Sequence, residues 1–345
     1  MGRMMKGILE ASLWSMACCL LAACDVWEDA ADVSGSDDAQ PMEVRFRIVL
    51  GSETATRLTE TDEAGTGWEN YIAMEEGDFR FLLFNTANTY ISQLTILSIE
   101  PVDDSAYPQE YEVTGSMEQP VSDFKLMVLA NWGNTNYPTL TIATTMADVC
   151  GTTYAYTLPF VPSQTLRIPM YGVRTYTNQT FVPNLSKDLG TIDLLRAMAK
   201  VEVVNAIQGA TMTGVKLNRY HATGMCAPSG MYDQTTYSTE VHLALDSPSV
   251  ASPIDFRSTA AGSCLIYVPE YDNTSLGTTP ATIALTLNGR AYTLYFKDYE
   301  SGQPFNLLRN HHYKFTIVGF SERDYTLQYI VDDYTDKNIE IPPFN

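Results

Sequence analysis

Few side chains in this sequence stand where reactive groups usually stand. There are four histidines in 345 residues. His311 and His312 are adjacent, so on a strand they would face opposite ways and could not readily share a metal; they read as sheet or strand-entry residues. His221 and His242 are related by no ligand spacing. Asp332, Asp333 and Asp336 are close together but lack the glycine and the terminal bidentate glutamate of a calcium loop. No G-x-S-x-G, P-loop, H-E-x-x-H or C-x-x-C occurs. The plentiful Asp and Glu leave room for a glycosidase-type carboxylate pair, but nothing singles out a catalytic group, a metal ligand or a cofactor, and the chain reads as non-enzymatic. Of six cysteines, Cys150, Cys226 and Cys264 follow residue 24. Cys226 could pair with Cys264 in an exported chain, or all three could be buried thiols.

One cysteine is placed for modification. Arg3 and Lys6 precede a mostly apolar run from Ala11 to Ala23, too short to span a bilayer as a helix, so residues 1–23 read as a signal peptide. The run ends in Leu21-Ala22-Ala23-Cys24, which matches the lipobox of bacterial lipoproteins. Cleavage would leave Cys24 as the acylated first residue, held by its lipid at the outer membrane. Residues 24–41 carry Asp25, Glu28, Asp29, Asp32, Asp37 and Asp38 with no basic residue, the composition of a solvated tether. The formal charge of −20 argues against a nucleic-acid partner, since phosphates need a positive footprint. It also argues against adsorption to anionic lipid by charge alone.

The tether leads into M-E-V-R-F-R-I-V-L, residues 42–50. Met42, Val44, Phe46, Ile48 and Leu50 fall on one side at period two, which predicts a half-buried strand. Residues 51–67 form a polar loop whose only basic residue is Arg57. Phe79–Phe84 and Phe124–Ala130 are apolar on both faces, as for strands covered on both sides. Residues 90–99 alternate weakly, and 144–149 could make one helical turn. Residues 191–205 read as one long strand. Asn288-Gly289 between two strand-like runs is a hairpin signal, because both positions favour positive φ. Further strands are read at 312–320, 325–331 and 338–341. Many short strands, punctuated by Gly, Pro, Asn and Asp, predict an all-β chain of two tandem β-sandwich domains, 42–190 and 191–345.

Four stretches resemble the fimbrillin family, the lipoprotein-derived subunits of type V pili. At the front are the lipobox, a first strand and an arginine-bearing loop. Midway, Phe124-Lys125-Leu126-Met127-Val128-Leu129-Ala130-Asn131 is similar to an apolar strand ending in Ala-Asn. Leu195-Arg196-Ala197-Met198-Ala199-Lys200-Val201 is similar to the family's Arg-x-x-Ala-Lys-Val strand. Arg309-Asn310-His311-His312-Tyr313-Lys314-Phe315-Thr316-Ile317 is similar to its Arg-Asn-x-x-Tyr-x-Phe-x-Ile strand, with Ile339-Glu340-Ile341-Pro342 following. Tyr334 stands where many members have tryptophan.

The resemblance implies transthyretin-like sandwiches, no catalysis, and assembly by strand exchange, a form of β-augmentation. On that pattern Met42, Val44, Phe46, Ile48 and Leu50 plug a groove, and an arginine-specific protease cuts Arg57–Leu58. A neighbouring subunit then refills the groove. The donor face would be Tyr325, Leu327, Tyr329 and Val331, or Ile339 and Ile341; the alternative is that both are ordinary strands of the second domain. The implied partners are other pilus subunits, the protease, the outer membrane and host or bacterial surface ligands. The role as stalk, anchor or tip stays open. A surface glycan-binding lipoprotein of a nutrient-uptake system is the competing class; it would show aromatic platforms on loops. Among the tryptophans beyond the leader, Trp27 lies in the tether, whereas Trp68 and Trp132 adjoin strands and read as core or rim.

Overall fold

The computed structural model describes residues 41–50, 66–74, 78–104, 108–133, 135–228, 252–260, 262–274, 280–297, 301–320 and 327–333. The leader, the tether and residues Arg57, Leu58, Tyr325, Ile339 and Ile341 lie outside them. The described chain is nearly all β.

β1 spans Met42–Leu50 with the alternation its sequence predicts: Met42, Val44, Phe46, Ile48 and Leu50 are buried, and Arg45 and Arg47 are exposed. It lies inside an eight-stranded sheet of order β3-β2-β6-β8-β9-β1-β5-β4. The other members are β2 (Phe79–Phe84), β3 (Tyr90–Gln93), β4 (Thr95–Pro101), β5 (Glu110–Met117), β6 (Phe124–Ala130), β8 (Met170–Tyr176) and β9 (Lys187–Arg196). The sheet folds over on itself around one apolar cluster, to which β1 contributes Val44, Phe46, Ile48 and Leu50. β3 and β4 sit at opposite edges although only Leu94 separates them. The single weak strand expected over 90–99 is therefore two. Leu94 is where it breaks: its side chain enters the core and its N–H donates to the carbonyl of Phe81 at 2.9 Å.

β2 and β6 are apolar on both faces, apart from the partly buried Arg80 and Lys125, because both of their faces are covered. Phe81, Leu83, Leu126 and Val128 face the cluster around β1. Leu82, Phe84, Met127 and Leu129 face a second cluster with Trp132, Met146, Val149 and Cys150. Three of these lie on or at the end of α1 (Met146–Cys150), the helical turn anticipated at 144–149. Thr145 caps it, exchanging a reciprocal capping box with Asp148.

A five-stranded sheet, β14-β15-β10-β18-β19, and a four-stranded sheet, β13-β11-β16-β17, enclose a third cluster. Their strands are β10 (Met198–Asn205), β11 (Met212–Leu217), β13 (Ile254–Asp255), β14 (Arg257–Ala260), β15 (Ser263–Pro269), β16 (Thr282–Leu287), β17 (Arg290–Tyr295), β18 (His312–Phe320) and β19 (Leu327–Asp333). β7 (Thr153–Ala155) and β12 (Thr223–Met225) form a separate two-stranded ladder. The Asn-Gly turn joins β16 to β17 with φ of 50° and 80° at Asn288 and Gly289.

One expectation needs correction, and one open alternative is decided. Residues 191–205 are not one strand. β9 ends at Arg196, Ala197 donates its N–H to the carbonyl of Pro169 at 2.8 Å, and β10 begins at Met198 in a different sheet. The 190/191 position thus falls inside β9. A Cys226–Cys264 bridge does not form: Cys150, Cys226 and Cys264 are free thiols. β15 separates the proposed pair, with Leu265 and Tyr267 facing the cluster that holds Cys226 while Cys264 packs against the other.

The ladder between the two halves of the eight-stranded sheet consists of Met170–Arg196 and Tyr171–Leu195. Gly172 follows them. A Cβ there would stand 2.3 Å from the carbonyl oxygen of Asp193 and 2.9 Å from Leu194 Cδ2. Backbone cannot swing aside as a side-chain tip can. Gly172→Ala is expected to cost about 1–3 kcal/mol, read as a lower urea midpoint with an unchanged slope.

Candidate functional site

The site is the position that β1 occupies and the chain that leaves it. β1 pairs antiparallel with β5, from Met42–Met117 to Val49–Glu110, and parallel with β9, from Val44–Lys187 to Leu50–Leu194. A bulge in β9 shifts the second register between Arg45 and Arg47. Every strand partner of β1 is distant in sequence and comes later in the chain. Its inward face is wholly buried, with Phe46 meeting Phe81 edge-on at 5.6 Å between ring centroids. Burying those side chains contributes on the order of 6–12 kcal/mol gross. On the outer face Arg47 reaches Glu110 at 3.0 Å and Glu112 at 3.5 Å, and Arg45 reaches Glu43 at 3.2 Å.

Residues 51–65, which include Arg57 and Leu58, lie outside the described residues. The chain resumes in a 3₁₀ turn, Thr66–Asn70, that is pinned by buried polar groups. Lys200 Nζ lies 3.3 Å from Glu69 Oε1, and the Tyr267 hydroxyl donates to Glu69 Oε2. Arg196 donates through Nε to the Glu69 carbonyl at 3.2 Å and through a second nitrogen to Asn70 Oδ1. Asn310 Oδ1 accepts from the backbone N–H of Arg196 at 3.2 Å and from its guanidinium at 2.8 Å. Burial pulls the Arg196 guanidinium down to about 10, against the opposing charge of Glu69, so it stays cationic at neutral pH.

Asn131, just past β6, holds the next stretch. At φ 65° it occupies the left-handed region that asparagine tolerates. Its Oδ1 accepts from the N–H of Ala73 at 2.9 Å, and its Nδ2 donates to the carbonyls of Tyr71 and Ile168, both at 2.9 Å. Trp132 is fully buried and donates to the Met170 carbonyl at 2.8 Å; Trp68 is partly buried beside Tyr71. Neither is displayed as a sugar platform. Glu69 and Asn70 escape sequence reasoning, because their partners lie more than 100 residues away and no motif marks them.

The remaining motif residues are structural. Arg309 is fully buried, paired with Glu270 at 2.6 and 3.0 Å, and donates to the carbonyls of Met225, Cys226 and Ala227. His311 Nδ1 lies 2.9 Å from the Arg309 carbonyl, at the entry to β18. His312 is buried with Nε2 3.1 Å from Glu202 Oε2, and Lys314 approaches the same oxygen at 3.6 Å. β19 pairs antiparallel with β18, which sets Val331 opposite Phe315 and Tyr329 opposite Ile317. Leu327, Tyr329 and Val331 therefore lie in an edge strand of this chain's own sheet, and Tyr325, Ile339 and Ile341 lie outside the described residues.

No protein-family model matches the chain, and no curated protein sequence matches it. Among solved structures it is similar to a C-terminally truncated form of the tip fimbrial protein Mfa3 from Porphyromonas gingivalis. The TM-score is 0.54 at 15% identity, over 84% of this chain and 99% of that one. A fimbrial assembly protein from Parabacteroides distasonis aligns with a TM-score of 0.49 at 15% identity, over 88% of this chain and 100% of that one. The chain thus shares its fold with a fimbrial protein, in agreement with the resemblance read from its motifs.

Removing the Glu69 carboxylate would break the buried ion pair with Lys200 at 3.3 Å and the bond from Tyr267. Glu69→Gln is expected to cost about 3–5 kcal/mol in urea unfolding at neutral pH. Glu202 supplies a pH test. Burial pushes its carboxyl up, but contact with His312 and Lys314 and a bond from Ser263 outweigh that and hold it at about 2. The folded value lies below the unfolded one near 4.5. Its stabilisation is thus present above that pH and is lost as the pH falls toward 2. Glu202→Gln should flatten the stability curve in that window.

Proposed function

We propose that this protein is a non-enzymatic fimbrial subunit or pilus-associated adhesin of the cell surface. It is exported as a lipoprotein through Cys24 and assembled by protease-triggered strand exchange. The observation that carries the reading is the place of β1. It fills a slot between β5 and β9, it is the first described element, and all its strand partners come later in the chain. Once the chain is cut after it, β1 can leave without carrying another strand with it, and the gap between β9 and β5 is what a new strand would close. The buried polar hold on Glu69, Asn70, Tyr71 and Ala73 supports the same reading, since its partners lie outside β1, while Ile72 packs in the cluster that β1 completes. The fold shared with a tip fimbrial protein agrees with it.

In this scheme Met42, Val44, Phe46, Ile48 and Leu50 keep the slot filled during export. Cutting at Arg57–Leu58 frees the strand, and a neighbouring subunit's strand restores the lost burial. The donor face of this chain is Leu327, Tyr329 and Val331 with Tyr325, or Ile339 and Ile341. The arginine-specific protease, other pilus subunits and the outer membrane are its partners, and surface ligands of host or bacterial cells are its targets if it acts as an adhesin.

The mature N-terminus on intact cells tests this. The expected result is a start at Leu58 in assembled material and at acylated Cys24 in the precursor. Arg57→Ala should abolish the shorter form and the heat-resistant ladders on a gel. Unchanged cleavage and assembly in that variant would refute the processing role.

A further inference from the structure

We infer that the β1 slot selects its occupant by charge, accepting a strand with two cationic outward positions, and that this strand comes from a different chain. The inference rests on the strand-exchange reading above and names the partner that reading leaves open.

The β5 flank of the slot is acidic, and the β9 flank adds one carboxylate next to Arg45. On β5, Glu110 and Glu112 stand opposite Val49 and Arg47; on β9, Asp188 stands beside Arg45. Arg47 bridges the two glutamates at 3.0 and 3.5 Å. The outer face holds a shallow cleft of about 560 Å³ lined in part by Arg45, Arg47, Glu112 and Asp188. Basic groups also lie near the β9 flank: Lys187, level with Val44 and beyond the arginine pair, and Arg174, which donates to the Thr191 carbonyl at 2.9 Å, so the acidic demand comes chiefly from the β5 side. With β1 withdrawn, the carboxylates of Glu110 and Glu112 lose the guanidinium that separates them. An incoming strand with acidic residues at these positions would set like charges opposite one another, which is unfavourable between neighbouring strands, and one with neutral residues would leave the two glutamates without a counter-charge.

The chain's own terminal segment is such a strand. With Tyr325, Leu327, Tyr329 and Val331 turned inward, its outward residues are Thr326, Gln328, Ile330 and Asp332. With Ile339 and Ile341 inward, they are Asn338 and Glu340. Neither set brings a cation to the position of Arg45 or Arg47. Self-polymerisation therefore sets acidic or neutral residues against an acidic slot, whereas a partner subunit with Lys or Arg two residues apart matches it.

The Arg47 side chain is 51% exposed and those of Glu110 and Glu112 are 31% and 66% exposed. Each contact is thus weak, and the summed discrimination is roughly three- to tenfold. It should fade at high salt.

The test adds labelled peptides to the full chain after cutting with an arginine-specific protease, and follows their incorporation by anisotropy and native mass spectrometry. The probes are MEVRFRIVL, its double Arg→Glu version, and this chain's TLQYIVDD. The expected result is that the first enters three- to tenfold faster than the other two, and that the gap closes in a Glu110→Gln/Glu112→Gln chain. Equal entry of all three would overturn the charge rule while leaving strand exchange intact. If none enters and β1 stays with the cut chain, strand exchange itself fails and the inference falls with it. A measurement on the uncut chain checks the charge rule alone: Arg45→Glu/Arg47→Glu should lower the urea midpoint, and adding Glu110→Lys/Glu112→Lys should restore it. Absence of that rescue would also overturn the rule.

Discussion

A single buried carboxylate, Glu69, ties three remote parts of the chain together. It meets Lys200 on β10 and Tyr267 on β15, while its own carbonyl takes a bond from Arg196 on β9. Two cations and one carboxylate out of water are costly unless each polar atom is engaged, and here Asn70 and Asn310 complete the set around Arg196. The arrangement is all-or-none. The turn at 66–70 cannot shift by a small amount without stranding a charge. The polar contacts that fix the chain beyond the 51–65 loop do not involve β1, whereas Ile72 packs in the apolar cluster that β1 completes.

The stretches that carry the family resemblance acquire a physical meaning from this. Arg196 and Asn310, from two of those stretches, bond to one another. Asn131, from a third, holds the residues just after Glu69. Asn131 and Asn310 both sit at positive φ, at 65° and 59°. At such positions a short amide both accepts the left-handed backbone and supplies the hydrogen bonds that stop a strand cleanly. The motifs are thus mostly structural knots where strands end.

Legibility in the sequence depends on the range of the interaction. β1 is legible because its alternation is local, and the same holds for the Asn288-Gly289 turn. β2 and β6 are legible as strands covered on both faces, although their sequence gives no hint that one cover is α1 and β15. The break at Leu94 is not legible, since an apolar residue that turns into the core carries no turn chemistry. Nor is the break at Ala197, where the chain changes sheets with no glycine or proline to mark it. Glu69 looks like one acidic residue among many. Its partners at Arg196, Lys200 and Tyr267 are brought to it only by the finished fold.

The run from Lys187 to Asn205 has a mechanical consequence. β9 and β10 belong to different sheets, yet only Ala197, buried and hydrogen-bonded, lies between them. No slack linker exists there to stretch. The strand beside β9 and the strand β18 beside β10 both lie parallel to that run. A pull entering through one and leaving through the other would load their ladders in shear, with many bonds resisting together instead of opening one by one. A joint of that design transmits tension through the molecule without first extending it.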